Sequence, residues 1–144
     1  MATIVQDQDK EFIGQGWAFP VHLNTNGKVA LVTGATDIEQ SIRIILGTIP
    51  GERVMRPNFG CRAWEIVFAH DAISTRALLR HYVEQALGFW EPRIELVNVQ
   101  VEGANSATHP HIHGEALLVS IFYEIKATHD PRSIVYPFYM MGEE

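Results

Sequence analysis

The sequence predicts an α+β fold: an N-terminal β-hairpin, two amphipathic helices, then an antiparallel sheet ending in a terminal hairpin. Three observations predict it. An Asn26-Gly27 pair between short apolar runs supplies the positive φ that a hairpin turn needs. Apolar residues then recur twice at helical spacing, and after Pro92 the apolar period switches to two. The chain has 144 residues, 47% of them hydrophobic, enough for one core without staples, and its single cysteine cannot form an internal disulfide.

Residues 1–13 are polar and predict a loose arm, 14–140 a single domain, and 141–144 a short tail. The segment Gly14-Gln15-Gly16-Trp17-Ala18-Phe19-Pro20 is too rich in glycine for a helix, and its large aromatics, Trp17 and Phe19, are expected to plug the core. Val21–Asn24 and Lys28–Val32 flank the Asn-Gly turn as the arms of a hairpin. Thr36 and Glu39 have the spacing of a capping box. Behind them Ile38, Ile42, Ile45 and Leu46 form one stripe that ends at Gly47 and Pro50.

The stretch from Pro50 to Gly60 is turn-rich, and period does not decide whether Trp64–Phe68 is strand or helix. From Ile73 to Trp90 the residues Leu79, Tyr82, Val83, Ala86, Leu87 and Trp90 repeat on one helical face, and Pro92 stops the helix. Val97, Val99 and Val101 alternate in a strand over Ile94–Glu102. Leu117, Val119, Ile121, Tyr123 and Ile125 do so over Ala116–Ala127. Ser133–Met140 contains Pro137, which confines it to an edge or an interrupted strand.

Composition excludes several function classes. With 11 Lys+Arg against 17 Asp+Glu, the net charge is −6 and no basic stripe awaits a phosphate backbone, so no nucleic-acid partner is expected. No 18-residue apolar run predicts a membrane span, and the N-terminus carries no readable secretory signal. Lys28–Ala35 imitates the first strand of a dinucleotide-binding fold, but Asp37 and Glu39 stand where a phosphate should sit. No cofactor is expected.

Four further patterns carry chemistry on paper. His109, His111 and His113, two residues apart, would project together if extended and are weak metal-ligand candidates; the alternative is a solvent loop of free imidazoles. Cys61 is read as a small buried thiol. Glu52, Glu65, Asp71, Glu91 and Glu95 are the acids from which a glycosidase pair would be drawn, against solvated surface acids as the plain alternative. Glu91-Pro92-Arg93 places a carboxylate and a guanidinium in a rigid setting beside Trp90, either as an exposed ion pair worth about 0–1 kcal/mol or as a docking element.

Gly14-x-Gly16-Trp17-x-Phe19-Pro20, the Asp37–Leu46 helix, Gly51-Glu52-Arg53, Arg56-Pro57-Asn58-Phe59-Gly60-Cys61 and Trp90-Glu91-Pro92-Arg93 occur in this order ahead of strands. In these pieces the chain resembles the baseplate wedge family typified by baseplate assembly protein W of contractile phage tails, which has relatives in type VI secretion and phage-tail-like injection baseplates. The resemblance implies a non-enzymatic wedge component assembled in the bacterial cytoplasm. Larger wedge proteins would dock at Trp90, Glu91, Pro92 and Arg93, with Arg53 and Arg56, and hub or spike proteins are further partners. It also implies that the terminal hairpin mimics the sheath strand-exchange region and starts sheath assembly by β-augmentation through Leu117, Val119, Ile121, Tyr123, Ile134 and Tyr136. On that basis Glu91→Ala with Arg93→Ala should abolish wedge binding and barely move the thermal melt.

Overall fold

The computed structural model describes residues 13–105, 107–112 and 114–140. The expected arm and the tail 141–144 lie outside these residues, except for Ile13, which is buried and belongs to the core. The chain opens with a two-stranded ribbon, β1 (Gln15–Trp17) antiparallel to β2 (Leu31–Thr33), with Gln15 opposite Thr33 and Trp17 opposite Leu31. The hairpin is therefore there, but its paired arms lie further from the turn than Val21–Asn24, which contributes only a single bridge from Leu23 to Val29. The Asn24-Thr25-Asn26-Gly27 turn closes as expected, with Asn24 Oδ1 accepting from the amides of Asn26 and Lys28 and Gly27 at φ 74°.

Trp17 and Phe19 do not plug the core: they are 67% and 56% exposed. Period two explains the reversal. Gly16 faces Asp37, where a Cβ would stand 2.7 Å from Oδ1, so Trp17 must point the other way, beside the exposed Leu31. Ala18 is the residue of this segment that is buried.

Helix α1 (Gly34–Gly47) follows β2 directly. Its N-cap is Thr33 and no side chain caps it, because the chain turns at Gly34 (φ 62°) and the helix starts before Thr36; the expected capping box does not form. The apolar stripe is as the period predicts: Ile38, Ile42, Ile45 and Leu46 are buried, each contributing about 1.5–3 kcal/mol as an upper estimate. Residues Arg62–Ile66 form a 3-10 turn, resolving the segment that period left open. Helix α2 (Ile73–Trp90) has the predicted bounds and buries Leu79, Val83, Ala86 and Leu87.

The last third forms a three-stranded antiparallel sheet in the order β3 (Ile94–Asn105), β4 (Glu115–Ile125), β5 (Asp130–Tyr139). Along β4 the odd residues from Leu117 to Ile125 are buried against both helices' apolar faces. On β3 the simple alternation fails. A bulge lies between Leu96 and Asn98, leaving Val97 68% exposed while Val99 is buried. One extra residue flips the phase of every residue on one side of it. Pro137 sits on an edge strand, as predicted.

Candidate docking surfaces

Pro92 ends α2 at Trp90, and Glu91 then leaves the helix at φ −121°, ψ 79° with its amide still donating to the Leu87 carbonyl. This turn buries the Glu91 side chain to 2% exposure. Arg93, the residue before β3, grips it with two parallel bonds, Nε to Oε1 at 2.7 Å and Nη2 to Oε2 at 2.8 Å. Arg93 Nη1 also donates to Asp37 Oδ2 at 2.7 Å, in the first turn of α1. One guanidinium thus ties the start of α1, the end of α2 and the start of β3. Burial alone raises the Glu91 carboxyl, but hydrogen bonds from Arg93 and Ser41 and the Arg93 charge outweigh it and hold the group below the usual carboxylate range. Hydrogen bonding to Glu91, opposed by burial and reinforced by Asp37, pushes Arg93 well above its ordinary value.

The glycines of the Gly14-x-Gly16 segment belong to this junction. A Cβ on Gly14 would lie 3.0 Å from Arg93 Nη1, at a backbone φ of 129°, and one on Gly16 would meet the Asp37 carboxylate. The ribbon therefore lies flat on the ion cluster. Asp37 was invisible as a member, because the residues it joins are 56 positions apart in the chain. Glu91 and Arg93 have their charges engaged inside the chain. With both side chains removed, a buried carboxylate and its guanidinium partner are lost together, so the melt is expected to move.

The surface they brace is aromatic and cationic. Trp90 packs edge-on against Phe59 and Phe89, with ring centroids 5.0 and 4.8 Å away, and the Arg53 guanidinium lies 4.2 Å from the Phe59 ring centre. The Phe59 loop is pinned to the end of α1 by the Cys61 amide on the Thr48 carbonyl at 2.9 Å, where a Cβ on Gly60 would collide with that carbonyl. Cys61 is buried as expected, and burial raises its thiol. A groove of about 470 Å³ runs between Pro50, Arg56, Asn58, Tyr82, Phe89 and Trp90. Phe89 is 73% exposed there, and Val54 and Met55 beside Arg53 are almost bare. Arg53, Arg56 and Trp90, singled out in the sequence, lie near one another here, and Phe89, which the α2 stripe leaves on the outer side, joins them without having been singled out.

Leu117, Val119, Ile121 and Tyr123 are core residues on the central strand, whose two edges are already taken by β3 and β5. They cannot hydrogen-bond an incoming strand through their backbone, which corrects the expectation that β4 pairs directly. Ile134, buried, and Tyr136, half-buried, lie on the edge strand β5. His109 and His111 are exposed in a turn closed by the Ile112 amide on the His109 carbonyl, not in a strand, and Ile112 between the expected ligands is buried. His113 lies outside the described residues, among which no three metal-binding side chains converge.

Four of the five acids weighed as a glycosidase pair, Glu52, Glu65, Asp71 and Glu91, are tied to donors, and Glu95 is exposed on β3. Glu65 takes the Tyr82 hydroxyl and Arg62, and Asp71 takes both ends of Arg76, so each is held below its ordinary value. Glu52 accepts the Ile49 amide. A glycosidase acid needs the opposite, a raised carboxyl.

No curated protein sequence matches the chain. A crystallised protein from Geobacter sulfurreducens, provisionally described as a tail lysozyme, is 42% identical over 78% of this chain and 97% of its own, with a TM-score of 0.65. A chain of the six-fold symmetrised anti-feeding prophage baseplate has the same TM-score at 23% identity, covering 90% of this chain and 87% of that one. A chain of the post-contraction pyocin R2 baseplate reaches 0.51 at 20% identity, covering 84% and 99%; these last two likenesses concern the fold. The sequence profile described as baseplate wedge protein gp25 matches residues 32–130, which takes in both helices, the bulged strand and the central strand. The chain belongs to the baseplate wedge protein gp25 family.

Proposed function

We propose that this protein is a structural wedge component of a contractile tail-like particle, assembled in the bacterial cytoplasm. It docks larger wedge proteins on the Arg53, Arg56, Phe89 and Trp90 surface and lets sheath subunits extend its sheet at an edge. The observation that carries the reading is the exposed aromatic and cationic groove held rigid from beneath by the Glu91 and Arg93 junction. Arg and large aromatics are the residue types that anchor interfaces, and rigid anchors lose little entropy on binding. The baseplate origin of two similar structures supports the partner class.

The test is co-purification of the tagged chain with the wedge proteins of its particle. Phe89→Ala with Arg56→Glu should remove them from the eluate while stability stays within about 0.5 kcal/mol, since both sites are exposed. Undiminished recovery would end the docking role. The lysozyme description of the Geobacter protein suggests a second reading, hydrolysis of peptidoglycan. Clearing of purified cell walls at pH 4–8 that is lost on replacing one carboxylate would establish it, although four of the five candidate acids are tied to donors.

A further inference from the structure

A cavity of about 420 Å³ opens where the N-terminal ribbon crosses the end of α1, between Phe19, Arg43, Ile44, Arg53 and Tyr136. None of its lining residues lines the groove at Trp90. Its charge is the reverse of the chain's. Among the described residues two arginines and no acid line it, in a protein of 17 acids against 11 Lys+Arg. From Gly14 to Thr33 the adjoining ribbon also holds no acid and a single lysine, Lys28.

The polar groups of this cavity are donors with little to donate to. The Arg53 guanidinium lies over the Phe59 ring, and the ion pairs among the described residues do not include it. A guanidinium held by its face keeps N–H donors at its rim. Arg43 reaches Glu39 one turn back at 3.4 Å, a loose and half-exposed pair that leaves most of its fork unused. Tyr136 is half-buried, and its hydroxyl has no hydrogen-bond partner among the described residues. Burial raises that hydroxyl against the pull of the Arg43 charge, so it stays a neutral donor. Gly47 keeps the space before it open, because a Cβ there would stand 3.3 Å from the Tyr136 oxygen. Thr48 donates its hydroxyl to the Ile44 carbonyl at 2.6 Å and its amide to the Ile45 carbonyl at 3.4 Å, so two of the last carbonyls of α1 are already taken. The apolar wall is Phe19 with Ile44, and the Phe19 amide on Gln40 Oε1 at 2.8 Å fixes that residue to α1.

We propose that this cavity is a second docking site, which takes an acidic segment of a partner protein in which an aspartate or glutamate stands next to an aromatic residue. The carboxylate sits among Arg43, Arg53 and the Tyr136 hydroxyl, and the aromatic side chain lies on Phe19 and Ile44. Converging cationic and hydroxyl donors are completed by one carboxylate, which a guanidinium can hold with two parallel bonds. An inorganic anion would answer the donors and leave the apolar wall bare. The exposed Trp17, Val21, Leu23 and Leu31 continue the surface along the ribbon from Phe19, which a chain segment can cover and a small anion cannot. Arg53, through Phe59, links this site to the surface at Trp90, but the acidic segment is held whether or not wedge proteins dock there.

The experiment titrates the full chain with the peptide acetyl-Gly-Asp-Phe-Gly-amide and with its Asn analogue, following backbone amide resonances by NMR. The acidic peptide should bind at least about tenfold more tightly, with the largest shifts at Phe19, Ile44, Gly47 and Tyr136. Arg43→Gln should weaken it about tenfold. Tyr136→Phe, which removes one hydroxyl and keeps a ring against Phe138, should weaken it about threefold, and both variants should keep the melt. Equal affinity for the two peptides, shifts confined to Phe89 and Trp90, or unchanged binding in both variants overturns the site. Binding that appears only in a chain carrying Asp7→Asn, Asp9→Asn and Glu11→Gln makes this chain's own acids the occupant and overturns the partner. No binding to either chain at peptide concentrations up to about 5 mM overturns the site as well. Co-purification with wedge proteins is read separately, so the failure of either proposal leaves the other standing.

Discussion

The junction around Arg93 and the edge of β3 are opposite solutions to exposed polarity. At the junction, Glu91, Asp37 and Arg93 satisfy one another inside the chain, and Glu91 is almost fully buried. At β3, an edge strand, alternate backbone groups between Val99 and Gly103 face outward, beside Ile73, Arg76, Ala77 and Arg80 of α2. The contrast separates two kinds of residue that look alike in sequence. A charge engaged inside the molecule contributes to stability, and a backbone group left open is satisfied from outside.

Breaking the junction is the sharpest way to test that division. Glu91→Ala leaves Arg93 half-buried with only Asp37, and we expect a loss of about 3 kcal/mol in urea or thermal denaturation. A loss under about 1 kcal/mol would place Glu91 with the surface pairs instead. Gly16→Ala comes next. Its Cβ would press on the Asp37 carboxylate and prise the ribbon from the cluster, for an expected cost of about 1–3 kcal/mol, with little change at the β3 edge by hydrogen exchange.

The smallest effect is in pH. Glu91 is held below its ordinary value in the folded chain, so around and below that value the unfolded chain binds more protons than the folded one, and stability rises with pH. Its contribution is complete above the ordinary glutamate pKa of about 4.3 and fades as pH falls through the lower folded value. Denaturation between pH 3 and 6 should show this slope, and Glu91→Gln should flatten it. An unchanged slope in that variant would assign the acid sensitivity elsewhere.

Helix bounds, the hairpin turn and the buried face of β4 were legible in the sequence, because each depends on a local period or a turn residue. Trp17, Thr36 and Val97 were misread for one shared reason. Each sits where a neighbouring element decides which side is inside: Asp37 beneath Gly16, the turn at Gly34 directly into α1, and the bulge after Leu96. Of the candidate site, Trp90, Arg53 and Arg56 were legible as motif members. Phe89 was not, because an aromatic on the outer side of a helical stripe carries no signal in the period.

By itself the sequence determined the kinds and order of the elements and the family motifs, since apolar period, proline stops and glycine turns act over a few residues. Only the tertiary structure decided that Glu91-Pro92-Arg93 turns inward to meet Asp37, and that β4 is closed on both sides while β3 and β5 are not. Pairings across such sequence distances are chosen by packing and by the satisfaction of buried charge and backbone groups, and no local pattern encodes them.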